Sequence, residues 1–383
     1  MNKPSFLLAA MLSSIFSAQA QQVGSAEQWQ FGAVLDATST SRALELGTRD
    51  KGLQLGHSDL TASGPLGRHL QAQISAVVAT HEGKLEKSFE EAWLETRTLP
   101  LGLSARIGRF ASQIGYLNQQ HPHADDFVER PLLYRAFLGS HWNDDGLRLN
   151  LTLPTKFYWM VGAEAFRGHK LVAHADPAVS GAGAFTVATK IGGDLNRSHS
   201  WQVGLSYLKN RRIAALEEDH EEHMDHEHEE DEHEHSHAHG AQFGGKQMWL
   251  IDGTWKWAPD GNNQNQQVRL TVEAARVTGI NRFATSGQKH EALSLSAVWR
   301  FQPAWEVGAR FDRLRVAIPH EDHFHAGRLN EQALMLAWKP SHRQSLRLQL
   351  SRQHGAVGFE QAARRSVALQ YVLAFGAHGA HTY

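Results

Sequence analysis

The 383-residue chain contains no cysteine. Disulfides and thiolate metal sites are therefore excluded, and any bound metal must be held by His, Asp, Glu or water. Long apolar runs are missing as well. No stretch past the N-terminus reaches the roughly 18 consecutive apolar residues that a membrane-crossing helix needs. Net charge is nearly absent, at −2. That balance hides one strongly acidic segment, residues 217–239, in which Lys and Arg are also missing.

This segment reads EEDHEEHMDHEHEEDEHEHSHAH, with twelve Asp or Glu and eight His among twenty-three residues. It carries twelve of the chain's negative charges, so the remainder stands at +10. A stretch with so little to bury cannot offset the entropy of ordering, and is expected to be disordered when empty. Imidazole and carboxylate are ligands for zinc and its neighbours. Two alternating runs, His226 with His228 and then His233, His235, His237 and His239, set next-but-one side chains on one side of an extended chain. With His220 and His223 these are the candidate outer metal ligands, and Asp219, Asp225 or Asp231 can complete a shell. Such a tract selects poorly among metals, and zinc is the choice on availability.

Residues 1–20 have the build of a secretory signal: Lys3, an apolar core from Phe6 to Phe16, and Ala18-Gln19-Ala20 as a cleavage site. The mature chain is then expected from 21 to 383. Within it, period-two alternation recurs in segments of about ten residues, as in Leu70/Ala72/Ile74/Ala76/Val78 and Leu147/Leu149/Leu151/Leu153. Trp and Tyr gather at the segment ends, and the polar faces are hydrophilic. Short turns are expected at Ser63–Pro65, Leu99-Pro100, Pro154–Lys156, Gly193-Asp194, Pro259–Gly261, Gln302-Pro303 and Pro340-Ser341. Long links alternate with them, near 38–52, 80–87, 111–145, 168–183, 210–246, 278–290, 317–328 and 354–364. Eight long loops imply an all-β, transmembrane antiparallel β-barrel of about 16 strands, with periplasmic turns, extracellular loops and a wet lumen. The acidic tract falls in the loop at 210–246.

The last strand, Val367/Leu369/Tyr371/Leu373/Phe375, with Tyr383 at the end of the chain, resembles the assembly signal of Gram-negative outer-membrane proteins. The resemblance implies outer-membrane lipid as surroundings and the barrel-assembly machinery as a partner in biogenesis. Arg106-Ile107-Gly108-Arg109-Phe110 before a long third loop is similar to general and phosphate-selective porins. There the third loop folds inward, and a homotrimer is the usual assembly. The His-rich insertion resembles outer-membrane proteins tied to zinc acquisition. The plug domain of TonB-dependent receptors has no room before the first strand.

Strand polarity places the other histidine groups outside: His121, His123, Asp125 and Asp126 with His141 in the third loop, His169, His174 and Asp176 in the fourth, and His320, His323 and His325 in the seventh. His121, His123, Asp125 and Asp126 are candidate ligands of an inner station at the constriction, and the seventh-loop histidines are candidate metal ligands at the outer mouth. Pro319-His320-Glu321-Asp322-His323 does not make a metalloprotease motif, because the two His are three apart and lie in a loop. No Ser-centred motif stands out and nucleic-acid motifs are absent, so the chain reads as a non-enzyme. On the lumen phase Arg106, Arg148, Arg269, Arg310 and Arg347 are expected to line the pore. Unpaired, they would favour anions; paired with lumen carboxylates, they would stiffen the wall. Two classes of function follow. One is a channel that collects divalent metal at its outer mouth for uptake. The other is a surface protein that binds and buffers metal without transport, or an anion-selective porin.

Overall fold

A computed structural model describes residues 28–81, 83–171, 179–213, 240–281, 283–285, 287–320, 323–358 and 364–376. The segment read as a secretory signal and the acidic His tract lie outside them.

Sixteen antiparallel strands close on themselves. They are β1 Gln30–Thr40, β2 in two pieces Gly52–Leu55 and Ser58–Leu66, β3 Leu70–His81, β4 Lys84–Thr96, β5 Leu103–Ala111, β6 Asn143–Thr152, β7 Tyr158–Phe166 and β8 Ala184–Asn196. There follow β9 His199–Asn210, β10 Gln247–Trp257, β11 Gln267–Thr278, β12 His290–Gln302, β13 Trp305–His320, β14 His323–Ser341, β15 Gln344–Ala356 and β16 Arg365–Gly376. Each strand pairs with its chain neighbours, and β1 pairs with β16 from Gly32↔Gly376 to Thr40↔Ala368, which removes both edges.

The usual rule of burial is inverted at mid-barrel. Along β13, Trp305, Val307 and Ala309 face out while Glu306, Arg310 and Asp312 are buried inside. Leu334 at 59% exposure and Leu350 at 48% belong to a continuous outward apolar surface, which suits lipid and not water. Aromatic pairs flank it, with Trp305 against Trp338 (6.5 Å) at the inner end and Tyr207 against Trp249 (4.7 Å) towards the outer.

Several boundaries moved. The turn expected at Ser63–Pro65 lies further on, because β2 runs to Leu66 with Gly64 opposite Ala72. Gly64 serves close approach there: a Cβ would meet the Trp29 ring at 2.8 Å. The seventh long link is mostly strand, since β13 and β14 pair up to His320↔His323.

The larger departure is inside. Residues 112–142 fold into the lumen, as the third-loop resemblance implied, but the outer part of that lumen is not uniformly wet. A 3-10 turn (Pro122–Ala124) and a short helix α1 (Leu132–Phe137) interrupt the loop. Leu132, Leu133, Phe137, Leu138 and Trp142 join inward-facing Leu208, Leu250, Val277, Leu314 and Leu329 in one apolar core. Near their outer ends, strands β9 to β14 thus present apolar residues on both faces, and the third loop is what their inner faces bury.

Candidate metal site in the lumen

Two β-bulges build one wall of the site. Val34 pairs with Asp59 and Ala37 with Leu55, so Leu35 and Asp36 oppose three residues, Gly56, His57 and Ser58. The extra residue breaks the alternation. His57 and Asp59 then reach the lumen cluster that contains His121 and Glu90. On β4 the register slips between Ser75↔Glu91 and Ala76↔Phe89, and the unpaired residue is Glu90. Both Glu90 and Glu91 are buried on the lumen side as a result. Bulges are the common device for re-aiming side chains beside functional sites.

The third loop supplies the opposite wall. His121 precedes the 3-10 turn and Pro122 opens it, which sets His121 and His123 on the side that meets the bulges. His121 Nδ1 lies 3.2 Å from His57 Nε2, 3.2 Å from Asp59 Oδ2 and 3.3 Å from Glu90 Oε2. His123 Nδ1 is 3.4 Å from Asp59 Oδ2, and His57 Nε2 is 3.0 Å from Glu90 Oε2. His121 Nε2 sits 3.6 Å from Glu91, while His141 Nδ1 contacts Glu90 Oε1 at 2.7 Å. One ligand atom each from His57, Asp59, His121 and His123 fit within 4.8 Å of one another. Four imidazoles and three carboxylates thus share one pocket.

These separations suit a metal shell. A tetrahedron with zinc–nitrogen or zinc–oxygen bonds of about 2.0–2.1 Å has edges of about 3.3 Å. The electrostatics agree. Burial alone would lower the pKa of His121, but hydrogen bonds that the ring donates to Asp59, Glu90 and Glu91 outweigh it and hold it well above its ordinary value. The field that stabilises an imidazolium there would attract a dication in its place. Burial dominates at His141, which is held below its ordinary value, and its Nε2 has no hydrogen-bond partner.

The other expected residues divide plainly. Asp125 stands apart from the pocket, bonded to Arg130 (2.7 Å) and Gln120 (2.8 Å). Asp126 pairs with Arg269 across the lumen. His320, His323 and His325 meet at the exposed tip of the β13–β14 hairpin, with His323 Nε2 3.0 Å from His325 Nε2. His169 is described outside the pocket, and His174 and Asp176 lie outside the described residues. The expected outer collector lies outside them too: His220, His223, His226, His228, His233, His235, His237 and His239 all fall in residues 214–239. The inner pocket therefore forms from described residues without any of these eight histidines.

The five expected pore arginines all face inward, and each is engaged. Arg106 bonds Glu95 (2.7 Å) and lies over the Trp93 ring, and Arg148 bonds Glu164 (2.6 Å). Arg310 bridges Asp312 and Glu331, each at 2.7 Å. Arg269 holds Asp126 and Arg347 holds Gln370. Four of the five hold carboxylates, as the stiffened-wall reading requires, while Arg347 meets the neutral amide of Gln370.

Sequence reasoning missed His57, Asp59, Glu90 and Glu91 as partners of the loop histidines. One signal was present: adjacent Glu90-Glu91 in an alternating strand cannot both face the lumen without a bulge.

A fold of this kind, a closed 16-strand barrel with an inward third loop, is that of the outer-membrane porins. Similar solved structures are OprB of Pseudomonas putida at high pH (11% identity, 91% of this chain and 94% of that one, TM-score 0.57) and an anion-selective porin from Comamonas acidovorans (12%, 91% and 99%, 0.54). A trimer form of OmpT, an outer membrane protein of Vibrio cholerae, is similar at 9% identity (91% and 99%, 0.53). By sequence, an uncharacterized protein of Aquifex aeolicus is 24% identical over 358 residues, covering 87% of this chain and 70% of its own. No family model matches.

Proposed function

We propose that the chain is an outer-membrane channel of porin-like build that gathers divalent transition-metal ions, zinc foremost, at its outer mouth and hands them through the lumen. The observation that carries this reading is the convergence of His57, Asp59, His121 and His123, backed by Glu90, Glu91 and His141, on a loop that crosses the barrel. A wall that bends out of register on two strands to bring acids to two histidines is poorly explained by loop polarity alone. The acidic tract would act as the outer collector and the β13–β14 tip as a station at the rim. Ions would be cargo, held loosely, because a conducting site must release what it binds. The similarity to outer-membrane porins supports residence in the outer membrane, lipid surroundings and trimeric assembly. No catalytic role is assigned.

Zinc flux into liposomes carrying the full chain tests the reading, with a zinc-sensitive dye inside and His121→Ala/His123→Ala as the comparison. Saturable flux in the wild type that falls in the variant supports it. Binding without flux would make the protein a surface metal buffer. Chloride-selective current indifferent to zinc would make it an anion porin, the second reading, although the engaged arginines weigh against that.

A further inference from the structure

Five arginines stand on the outward face near the outer ends of the last four strands: Arg313 and Arg315 on β13, Arg328 on β14, Arg352 on β15 and Arg365 on β16, all exposed. The pairing register sets Arg315 opposite Arg328 and Arg352 opposite Arg365. Like charges directly opposed across a sheet are destabilising unless something neutralises them. Among the described residues none of the five has an ion pair. The one carboxylate in register, Glu291 opposite Arg315, is held by Arg276 (2.9 Å) and Lys289 (3.3 Å).

Height in the barrel indicates what meets this patch. Arg313 lies eight residues beyond Trp305 of the inner aromatic belt. At about 3.4 Å per residue and a tilt of about 40°, that is a rise of about 21 Å, close to the outer edge of an apolar band about 25 Å tall. Arg313 therefore sits near the level of the outer headgroups, and Arg352, eight residues beyond Gln344 at the inner end of β15, rises equally far.

A groove supplies the second observation. It runs over the outside of β9 to β16 with a volume of about 1080 Å³, lined along one cross-strand row by Ala297, Ala309, Leu334, Leu350 and Val367. Arg352 and Arg365 line the same groove. The two alanines leave room in that row for an acyl chain, and the groove ends on two unpaired cations.

We infer that this face is a binding site for a phosphate-bearing, acylated lipid of the outer leaflet. Its phosphate bridges the opposed arginines and an acyl chain lies in the groove. A second copy of the barrel could cover the apolar groove, but it would bring no counter-charge to the arginines. A phosphorylated lipid satisfies both parts.

The test uses the full chain purified in non-ionic detergent and titrated with bisphosphorylated lipid A, its dephosphorylated form, or inorganic phosphate, with bound lipid read by native mass spectrometry. We expect one lipid A held by the wild type. Binding should be about tenfold or more weaker for Arg352→Gln/Arg365→Gln, for the dephosphorylated lipid, and for Ala309→Trp, which puts a bulky side chain into the groove. Heat-modifiable migration checks the fold of each variant, and Arg313→Gln/Arg328→Gln replaces the first pair if that pair does not assemble. Equal retention by wild type and variants would reduce the effect to bulk lipid and overturn the proposal. So would displacement by millimolar inorganic phosphate with Ala309→Trp silent, which marks a free-anion site. A change of oligomeric state in place of lipid loss would assign the groove to a second copy.

Discussion

The two halves of the third loop meet the same barrel on opposite terms. Residues 118–126 carry His121 and His123 to a wall of acids on β2 and β4. Residues 127–142 carry Leu132, Leu133, Phe137 and Trp142 to inward-facing Leu250, Leu314 and Leu329. The first half gains little from burial, since each polar group removed from water needs a partner to break even. The second gains directly, at about 25 cal/mol per Å² of apolar surface. The dry half therefore anchors the loop, and the polar half is held in place by that anchor. Arg130 joins them, bonding Asp125 (2.7 Å) on one side and the Ser140 carbonyl (3.0 Å) on the other.

The comparison breaks first at the anchor. Leu133→Asp puts a charge into a fully apolar core, at a cost of several kcal/mol if the loop stays in place. The loop should leave the lumen while the strands remain paired. Single-channel conductance is then expected to rise several-fold, and a protease to cut between 127 and 142. Unchanged conductance would show that the core does not hold the loop.

Glu331→Gln strikes the polar clamp on α1. Glu331 takes Arg135 at 2.6 Å and Arg310 at 2.7 Å, all three buried. Removing one partner from such a set costs about 3–5 kcal/mol, because it leaves guanidinium charge uncompensated. Urea titration of the folded barrel should show this loss, with zinc affinity changed less than the stability. A large loss of zinc affinity at unchanged stability would reverse the assignment.

Glu90→Gln/Glu91→Gln tests the polar half itself. Both carboxylates become amides of the same shape, and the pocket loses two of its three negative charges. Zinc affinity, measured calorimetrically, should fall about 100-fold, equivalent to about 2.7 kcal/mol. An unaltered affinity would leave the pocket as a structural hydrogen-bond network.

The barrel was legible because period two is imposed by lipid outside and water inside, so that Leu147, Leu149 and Leu151 alternate with Arg148 and Asn150. Strand number followed from the alternation of link lengths. The site was half legible. His121 and His123 stood out as a pair, and their inward loop followed from the porin resemblance. Their partners did not, because Glu90 and His57 reach the pocket only through bulges, where the residue count along one strand exceeds that of its neighbour. The apolar filling was hidden for a related reason. Leu314 and Leu329 sit on the lumen phase of their strands, and only the loop that returns across the barrel gives an apolar residue there something to bury against.

The finest test of the comparison is Asp125, which lies two residues from His123 and by sequence belongs with the histidines as a ligand. The structure gives its two oxygens to Gln120 and Arg130, so its part is to hold the turn that carries the histidines. Asp125→Asn keeps an acceptor for Arg130 and removes the charge. A ligand so changed would cost metal affinity as heavily as the Glu90/Glu91 pair, whereas a partner one step removed typically costs about tenfold. We expect a loss of zinc affinity of about tenfold or less together with a loss of stability, because Asn offers one acceptor where Gln120 and Arg130 both donate and leaves the buried guanidinium without its counter-charge. Asp125→Ala should lose more, since the buried guanidinium is then left without its partner and the turn loosens. A hundredfold loss in Asp125→Asn equal to that in Asp125→Ala would make Asp125 a direct ligand. The turn would then have to reorganise on metal binding, and the separation between the two halves of the loop would no longer hold.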